Sequence, residues 1–170
     1  NVRVANDANV AALGEMWLGG GKGYHSIVMV TLGTGVGGGI VLNGKILSGC
    51  NGAGGEIGHM TVEMEEEDIC GCGNRGCLEQ YVSATGIVRM AKKELQKTSE
   101  NIENITAKDV FDRAKNGDLK YLHIIDKFAE YLGIALSNIA CVVDPEAFVI
   151  GGGVAAAGEI IIKKVTKYYE

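Results

Sequence analysis

The amino-acid sequence predicts an α/β domain, with a central sheet and flanking helices. Three observations carry that expectation. Residues 27–32 are an unbroken apolar run, as in a strand covered on both faces. Leu122, Ile125, Phe128, Leu132, Leu136 and Ile139 recur at helical spacing through residues 118–143. Strand-like and helix-like stretches mix along the chain, with no internal repeat and no dividing linker.

The elements follow in order. Val2-Arg3-Val4-Ala5 reads as a short strand ending at Asn6-Asp7. Residues 8–18 are helical, with Val10, Leu13, Trp17 and Leu18 on roughly one side, and Gly19-Gly20-Gly21 ends the helix. The apolar run 27–32 is expected at the centre of the sheet. A glycine-rich turn over 33–39 and a second strand, Ile40-Val41-Leu42, come next. Asn43-Gly44 is the strongest short hairpin signal, and residues 45–47 are its return strand. Residues 48–79 are irregular and rich in Gly, Cys and Glu; such long loops inside a domain are usually functional. Ser83 is placed as the cap of a helix reaching Lys97. Thr106-Ala107-Lys108-Asp109 fits a capping box for a helix that stops at Asn116-Gly117. Asp144-Pro145 breaks the long helix, residues 147–150 form a buried strand, and a last helix starts near Gly158.

Bulk composition narrows the function. With 170 residues, 46% of them apolar and 22% charged, the chain is an ordinary single globular domain. A net charge of -5 offers no footprint for nucleic acid and no polybasic face for a membrane. The acidic run Glu65-Glu66-Glu67-Asp68 reads as a solvated loop. No apolar stretch is long enough for a membrane-spanning helix and no signal peptide opens the chain, so the expected location is cytoplasmic. The chain starts at Asn1 without an initiator Met and ends inside a helical pattern, so it reads as a fragment of a longer protein. Twenty-six glycines are about twice the ordinary ~7% share, and they alternate with Val and Ile rather than Ser. They mark tight turns and close backbone approaches. Three of the 5 cysteines crowd into residues 70–77, which points to a metal site rather than a disulfide framework.

Four constellations can carry chemistry. Gly33-Thr34-Gly35, within the run 31–39, can present backbone N–H groups as an anion nest, although a glycine-rich hairpin corner has the same composition. It is not a Walker A loop, and a strand rather than a helix follows it. Gly151-Gly152-Gly153 leaves a strand end without side chains, where ligands of α/β sheets gather; a close strand–helix turn is the plainer reading. Asp7, in Asn6-Asp7-Ala8-Asn9, sits at a strand end and a helix start, as a helix cap or a catalytic carboxylate. His59 with Cys70, Cys72 and Cys77 supplies the His-plus-Cys₃ set of a closed tetrahedral zinc site, whose role is structural. Cys141 is expected in the core, and His25 and His123 as structural or surface residues.

These motifs resemble the ROK family of kinases and repressors, and within it the zinc-containing bacterial glucokinases. The resemblance is carried by Gly55-Glu56-Ile57-Gly58-His59-Met60, by Cys70-Gly71-Cys72-Gly73-Asn74-Arg75-Gly76-Cys77-Leu78-Glu79, and by Asn6-Asp7-Ala8-Asn9 and the 33–39 loop in the same order. It implies an actin-like, ribonuclease-H-like ATPase fold in which sugar and ATP meet in an interdomain cleft. It implies Asp7 as catalytic base and Asn6, Glu56, His59 and Glu79 as sugar-hydroxyl ligands. Zn²⁺ would be held by His59, Cys70, Cys72 and Cys77. Gly33, Thr34 and Gly35 would take phosphate, Gly151, Gly152 and Gly153 would take the adenosine side, and Mg²⁺ would accompany ATP. A hexose is the implied partner, glucose before N-acetylmannosamine, in a homodimer. The family's N-terminal phosphate-loop lobe does not appear in this chain, so these residues alone are expected to turn over little sugar.

Overall fold

The computed structural model describes residues 6–96 and 103–170. The strand expected over residues 2–5, and Lys97 at the end of the Ser83-capped helix, lie outside the described residues. The elements run α1 (Asp7–Leu18), β1 (Ile27–Leu32), β2 (Val36–Leu42), β3 (Lys45–Ile46), α2 (Glu79–Val82), α3 (Ala84–Leu95), α4 (Ala107–Lys115), α5 (Leu119–Val143), β4 (Ala147–Gly151) and α6 (Glu159–Tyr169). Strand order is β3-β2-β1-β4; β2 is antiparallel to β1 and to β3, and β4 is parallel to β1. The run 27–32 is thus central, as its uninterrupted apolar character requires.

Local chemistry sets most boundaries as expected. Asn43 and Gly44 both have positive φ, 50° and 75°, which suits a two-residue hairpin. Ser83 Oγ accepts from the Gly86 N–H, and the Thr106/Asp109 capping box is complete. Asp118 caps α5, and Asp144 ends it in the left-handed region at φ 46°.

Alternate residues of β1 serve two layers. Val28, Val30 and Leu32 join the main core with Leu132, Leu136 and Ile139 of α5 and Ile87 of α3. Ile27 and Met29 pack on the opposite face with Ala12 of α1. Both faces are covered, so period-2 alternation is invisible in the sequence.

Four expectations need correction. The glycine-rich turn is shorter than residues 33–39: only Gly33–Gly35 turn, and Gly37, Gly38 and Gly39 lie inside β2. Gly38 and Gly39 are glycines because other backbone crosses there, and Gly37 lies against the Thr31 side chain. A Cβ on Gly39 would stand 2.5 Å from the Ala8 carbonyl oxygen and 2.7 Å from Ala12 Cβ, and one on Gly38 would stand 2.3 Å from the Gly55 oxygen. Second, Val10, Leu13, Trp17 and Leu18 of α1 face outward, Trp17 76% and Leu18 72% exposed; the residues of α1 that are buried are Ala8, Asn9 and Ala12, with Met16 half-buried beside them. Third, β4 is half-buried, because among the described residues it is an edge strand paired to β1 alone. Fourth, Cys141 is exposed, since it lies on the solvent side of the last turn of α5, with Val142 and opposite Ile139 and Val143, which meet the core.

The close approach gives a first test. Gly39→Ala is expected to cost about 3 kcal/mol, the upper end of ordinary overpacking, read as a lowered urea midpoint with an unchanged slope.

Candidate functional site

The irregular segment after β3 folds as a compact knuckle. Val62 N–H donates to the Gly76 carbonyl at 2.8 Å, Leu78 N–H to Met60 at 2.8 Å and Cys70 N–H to Asn74 at 2.8 Å. Isolated bridges pair Thr61 with Cys77 and Ile69 with Arg75. Gly76 has φ 65° and lies against the Glu63 backbone, so only glycine fits this crossing. Gln80 locks the base of the knuckle: its Oε1 accepts from Cys77 N–H at 3.0 Å and its Nε2 donates to the Asp68 carbonyl at 2.9 Å.

This folding brings the four expected metal ligands together. Ligand atoms of His59, Cys70, Cys72 and Cys77 all lie within 4.8 Å of one another. Cys72 Sγ and Cys77 Sγ are 3.6 Å apart, and Cys70 Sγ is 3.9 Å from His59 Nδ1. Thiolates about 2.3 Å from a tetrahedral zinc would be about 3.8 Å apart, so donor type and spacing both fit the ion. Nδ1 is the His59 atom facing the thiols, which leaves Nε2 for another partner. Burial, then the neighbouring thiols of Cys72 and Cys70, push the Cys77 thiol up to about 12, so a cation must displace its proton to bind.

The acidic run before the knuckle is not simply solvated. Glu66 is only 7% exposed in its side chain and meets Arg89 at 2.7 Å and the Tyr81 hydroxyl at 2.6 Å. Arg89 also binds Asp68 at 2.7 Å, and Lys93 binds Asp68 at 2.6 Å. The cations lie on α3, some twenty residues on, so the acidic run shows no partner locally. Burial alone would raise the Glu66 carboxyl, but hydrogen bonds from Arg89, Tyr81 and the Asp68 amide, with the Arg89 charge, hold it far below the usual range. Its folded pKa is lowered, so its contribution is complete above the unfolded value near 4.5 and is lost as pH falls below it. Glu66→Gln is expected to lower stability by about 2 kcal/mol at pH 7, with the difference shrinking in urea titrations run at progressively lower pH.

The glycine turn faces a cavity of about 540 Å³. Gly33, Thr34 and Ala84 form one wall, Gly153, Val154 and Ala157 a second, and the cap Thr106 with Lys108, Phe111 and Lys115 of α4 a third. Nothing in the fold crowds Gly33 or Gly153: a Cβ on Gly33 would meet only the Gly35 oxygen at 3.9 Å, and one on Gly153 would meet nothing within 4 Å. Neither has a positive φ. Their missing side chains therefore serve the cavity rather than packing. Gly152 differs, since its φ of 90° and its closeness to Leu32 make it a structural glycine. Gly151 ends β4 opposite Thr31. The α4 wall was not legible in the sequence; its capping box announces a helix but not what lies beside it.

The remaining candidates are distributed as follows. Asn6, not Asp7, caps α1, its side chain accepting from Asn9 N–H at 3.2 Å. Asp7 is exposed in the first turn of α1, its Oδ1 accepting from Ala8 N–H at 2.8 Å. Glu56 is exposed just before the 3-10 turn that carries His59. Glu79 joins the two halves of the site: its Oε2 accepts from Val36 N–H at 3.0 Å, beside Gly35, and its Oε1 is 3.9 Å from Cys70 Sγ. Among the described residues no hydrogen bond links Asn6 or Asp7 to Glu56, His59 or Glu79.

Sheet, cavity and knuckle define a class: an α/β domain with a glycine-lined cavity and, packed beside it, a knuckle whose His and three Cys could hold a metal ion. The chain belongs to the ROK family, whose model matches residues 1–170. It is 50% identical over 177 residues to a glucokinase of Halalkalibacterium halodurans, covering 99% of this chain and 54% of that protein. A ROK family glucokinase from Streptomyces griseus, solved in complex with glucose and AMPPNP, superposes with a TM-score of 0.90 at 36% identity, over 98% of this chain and 56% of that one. A xylose repressor of Caldicellulosiruptor bescii is 32% identical over 171 residues, 96% of this chain and 43% of that protein. The chain thus spans about half the length of the curated glucokinases it matches. Its fold is the actin-like ATPase fold that the resemblance implies. No helix among the described residues is long and apolar enough to cross a membrane.

Proposed function

We propose that residues 1–170 are the large domain of a two-domain kinase that transfers the γ-phosphoryl group of ATP to a hexose, glucose being converted to glucose 6-phosphate. The observation that carries this reading is the cavity whose two uncrowded glycines, Gly33 and Gly153, come from the β1–β2 turn and the end of β4. It is supported by the likeness to a glucokinase solved with glucose and AMPPNP.

In this reading the triphosphate lies along Gly33, Thr34 and Gly35, where backbone amides meet anionic oxygens. Adenosine lies toward Gly151, Gly152 and Gly153, against Phe111 and Val154. Mg²⁺ accompanies the phosphates and offsets their charge. Asn6, Glu56, His59 and Glu79 hold sugar hydroxyls; a carboxylate suits this because each oxygen accepts a hydroxyl hydrogen. Asp7 takes the proton of the primary hydroxyl as that oxygen bonds to the γ-phosphorus and the bond to the β-phosphate oxygen breaks. His59, Cys70, Cys72 and Cys77 would hold Zn²⁺, which would supply rigidity by fixing the His59 tautomer and the segment between Glu56 and Glu79. The protein would work as a cytoplasmic homodimer feeding glycolysis.

The xylose repressor relative favours a second reading, a sugar sensor without catalysis. Assaying ADP release by the full-length protein with glucose, N-acetylmannosamine and N-acetylglucosamine separates the two. Turnover is expected with glucose as the best substrate. No ADP release with any hexose, together with sugar-dependent DNA binding, would establish the sensor instead.

A further inference from the structure

The glycine turn is held from behind, by contacts that the proposed chemistry does not use. Ala84 N–H donates to the Gly33 carbonyl at 2.8 Å, and the Thr85 hydroxyl donates to the Thr34 carbonyl at 2.8 Å. Both donors sit in the first turn of α3. No described residue accepts from the Thr34 or Gly35 N–H. In a trans peptide the carbonyl and the next N–H point in opposite directions, and the described chain has no cis bond. Anchoring the Gly33 and Thr34 carbonyls on α3 therefore turns the Thr34 and Gly35 N–H groups away from α3, to the open side of the turn. Two neighbouring amides aimed the same way make an anion nest.

Of the two anchors, Ala84 N–H is main chain and any residue could supply it. The Thr85 hydroxyl is a side-chain choice. Its oxygen is also 2.9 Å from Ser83 Oγ, whose own proton goes to the Glu79 carbonyl at 2.7 Å and which accepts from Gly86 N–H. Thr85 thus lies beside the Ser83 cap, whose proton reaches Glu79, two residues after Cys77; with both hydroxyl protons so placed, the two oxygens are neighbours and not a hydrogen-bonded pair. Across the same junction, Glu79 Oε2 holds Val36 N–H just beyond the turn.

We propose that Thr85 is a positioning residue for nucleotide phosphate: its hydroxyl fixes the Thr34–Gly35 peptide so that the Gly35 amide is aimed at a phosphate oxygen before the nucleotide arrives. Thr85 touches neither sugar nor phosphate in this account. The proposal rests on the reading of the turn as a phosphate site, and it adds the residue that preorganises it. Preorganised donors lose no orientational freedom on binding, so the effect is felt in nucleotide affinity and not in sugar affinity.

The test uses the full-length protein with Thr85→Val, which keeps shape and removes the hydroxyl, and Thr85→Ser, which restores it. Calorimetric titration with AMPPNP and Mg²⁺ is expected to show affinity weakened about tenfold in Thr85→Val, the loss of about one hydrogen bond, and largely restored in Thr85→Ser. KM for ATP should rise in step, while the glucose dissociation constant and melting temperature stay near wild type. Equal AMPPNP affinity in wild type and Thr85→Val would overturn the proposal, as would a parallel loss of glucose binding and melting temperature in Thr85→Val. A wild-type protein that binds AMPPNP and shows the Thr85 effect, yet phosphorylates no hexose, would sink the kinase reading alone. A wild-type protein that binds no nucleotide would sink both.

Discussion

Replacing Asp7 with alanine in the full-length protein is expected to lower kcat for glucose phosphorylation by about a hundred- to ten-thousandfold, the usual worth of a positioned general base. The glucose dissociation constant should change little, because Asn6, Glu56, His59 and Glu79 keep most of the proposed hydroxyl contacts. Folding should be preserved. Asp7 is exposed, its one described hydrogen bond is to the adjacent Ala8 N–H, and the cap of α1 is supplied by Asn6. That division of labour makes the experiment clean, since the carboxylate can be deleted without uncapping the helix. Turnover within threefold of wild type would remove Asp7 from the chemistry.

Stripping the metal should have the second-largest effect. Structural zinc contributes on the order of 10 kcal/mol in small domains, and here the four proposed ligands close the segment that ends at Glu79. Extended dialysis against a chelator at neutral pH, followed by calorimetry, is expected to lower the melting temperature by about 10 °C or more. Glucose affinity should fall with it, because the proposed sugar ligands Glu56, His59 and Glu79 flank or belong to the segment the metal would close. Nucleotide affinity should also fall, through Glu79 and its bond to Val36 N–H. The burial that pushes the Cys77 thiol up makes metal binding weaken as pH is lowered, since protons then compete for the ligand. A metal-free protein with unchanged melting and glucose affinity would show that the cysteine cluster is not a structural anchor.

The sequence made the local features readable, because each is written in one short stretch. Asn43-Gly44 specifies its hairpin, Thr106 with Asp109 its cap, and His59 with Cys70, Cys72 and Cys77 its ligand cluster. What stayed hidden depends on contacts between distant segments. Gly37–Gly39 look like a loop until α1 and residues 55–57 are seen crossing β2. Glu66 looks solvated until Arg89 arrives from α3. The apolar residues of α1 look like a core stripe, yet the helix buries its small residues because a larger side chain would hold it off the glycines of β2. The wall that α4 gives the cavity has no local signature at all.

Trp17, the only tryptophan in this chain, lies largely bare on α1, ten residues along the helix from Asp7. An indole in water emits at longer wavelength than one in an apolar contact, so this helix carries its own optical probe. Any segment that comes to cover the outer side of α1 would shift that emission to the blue, and a titration could follow the event without a label.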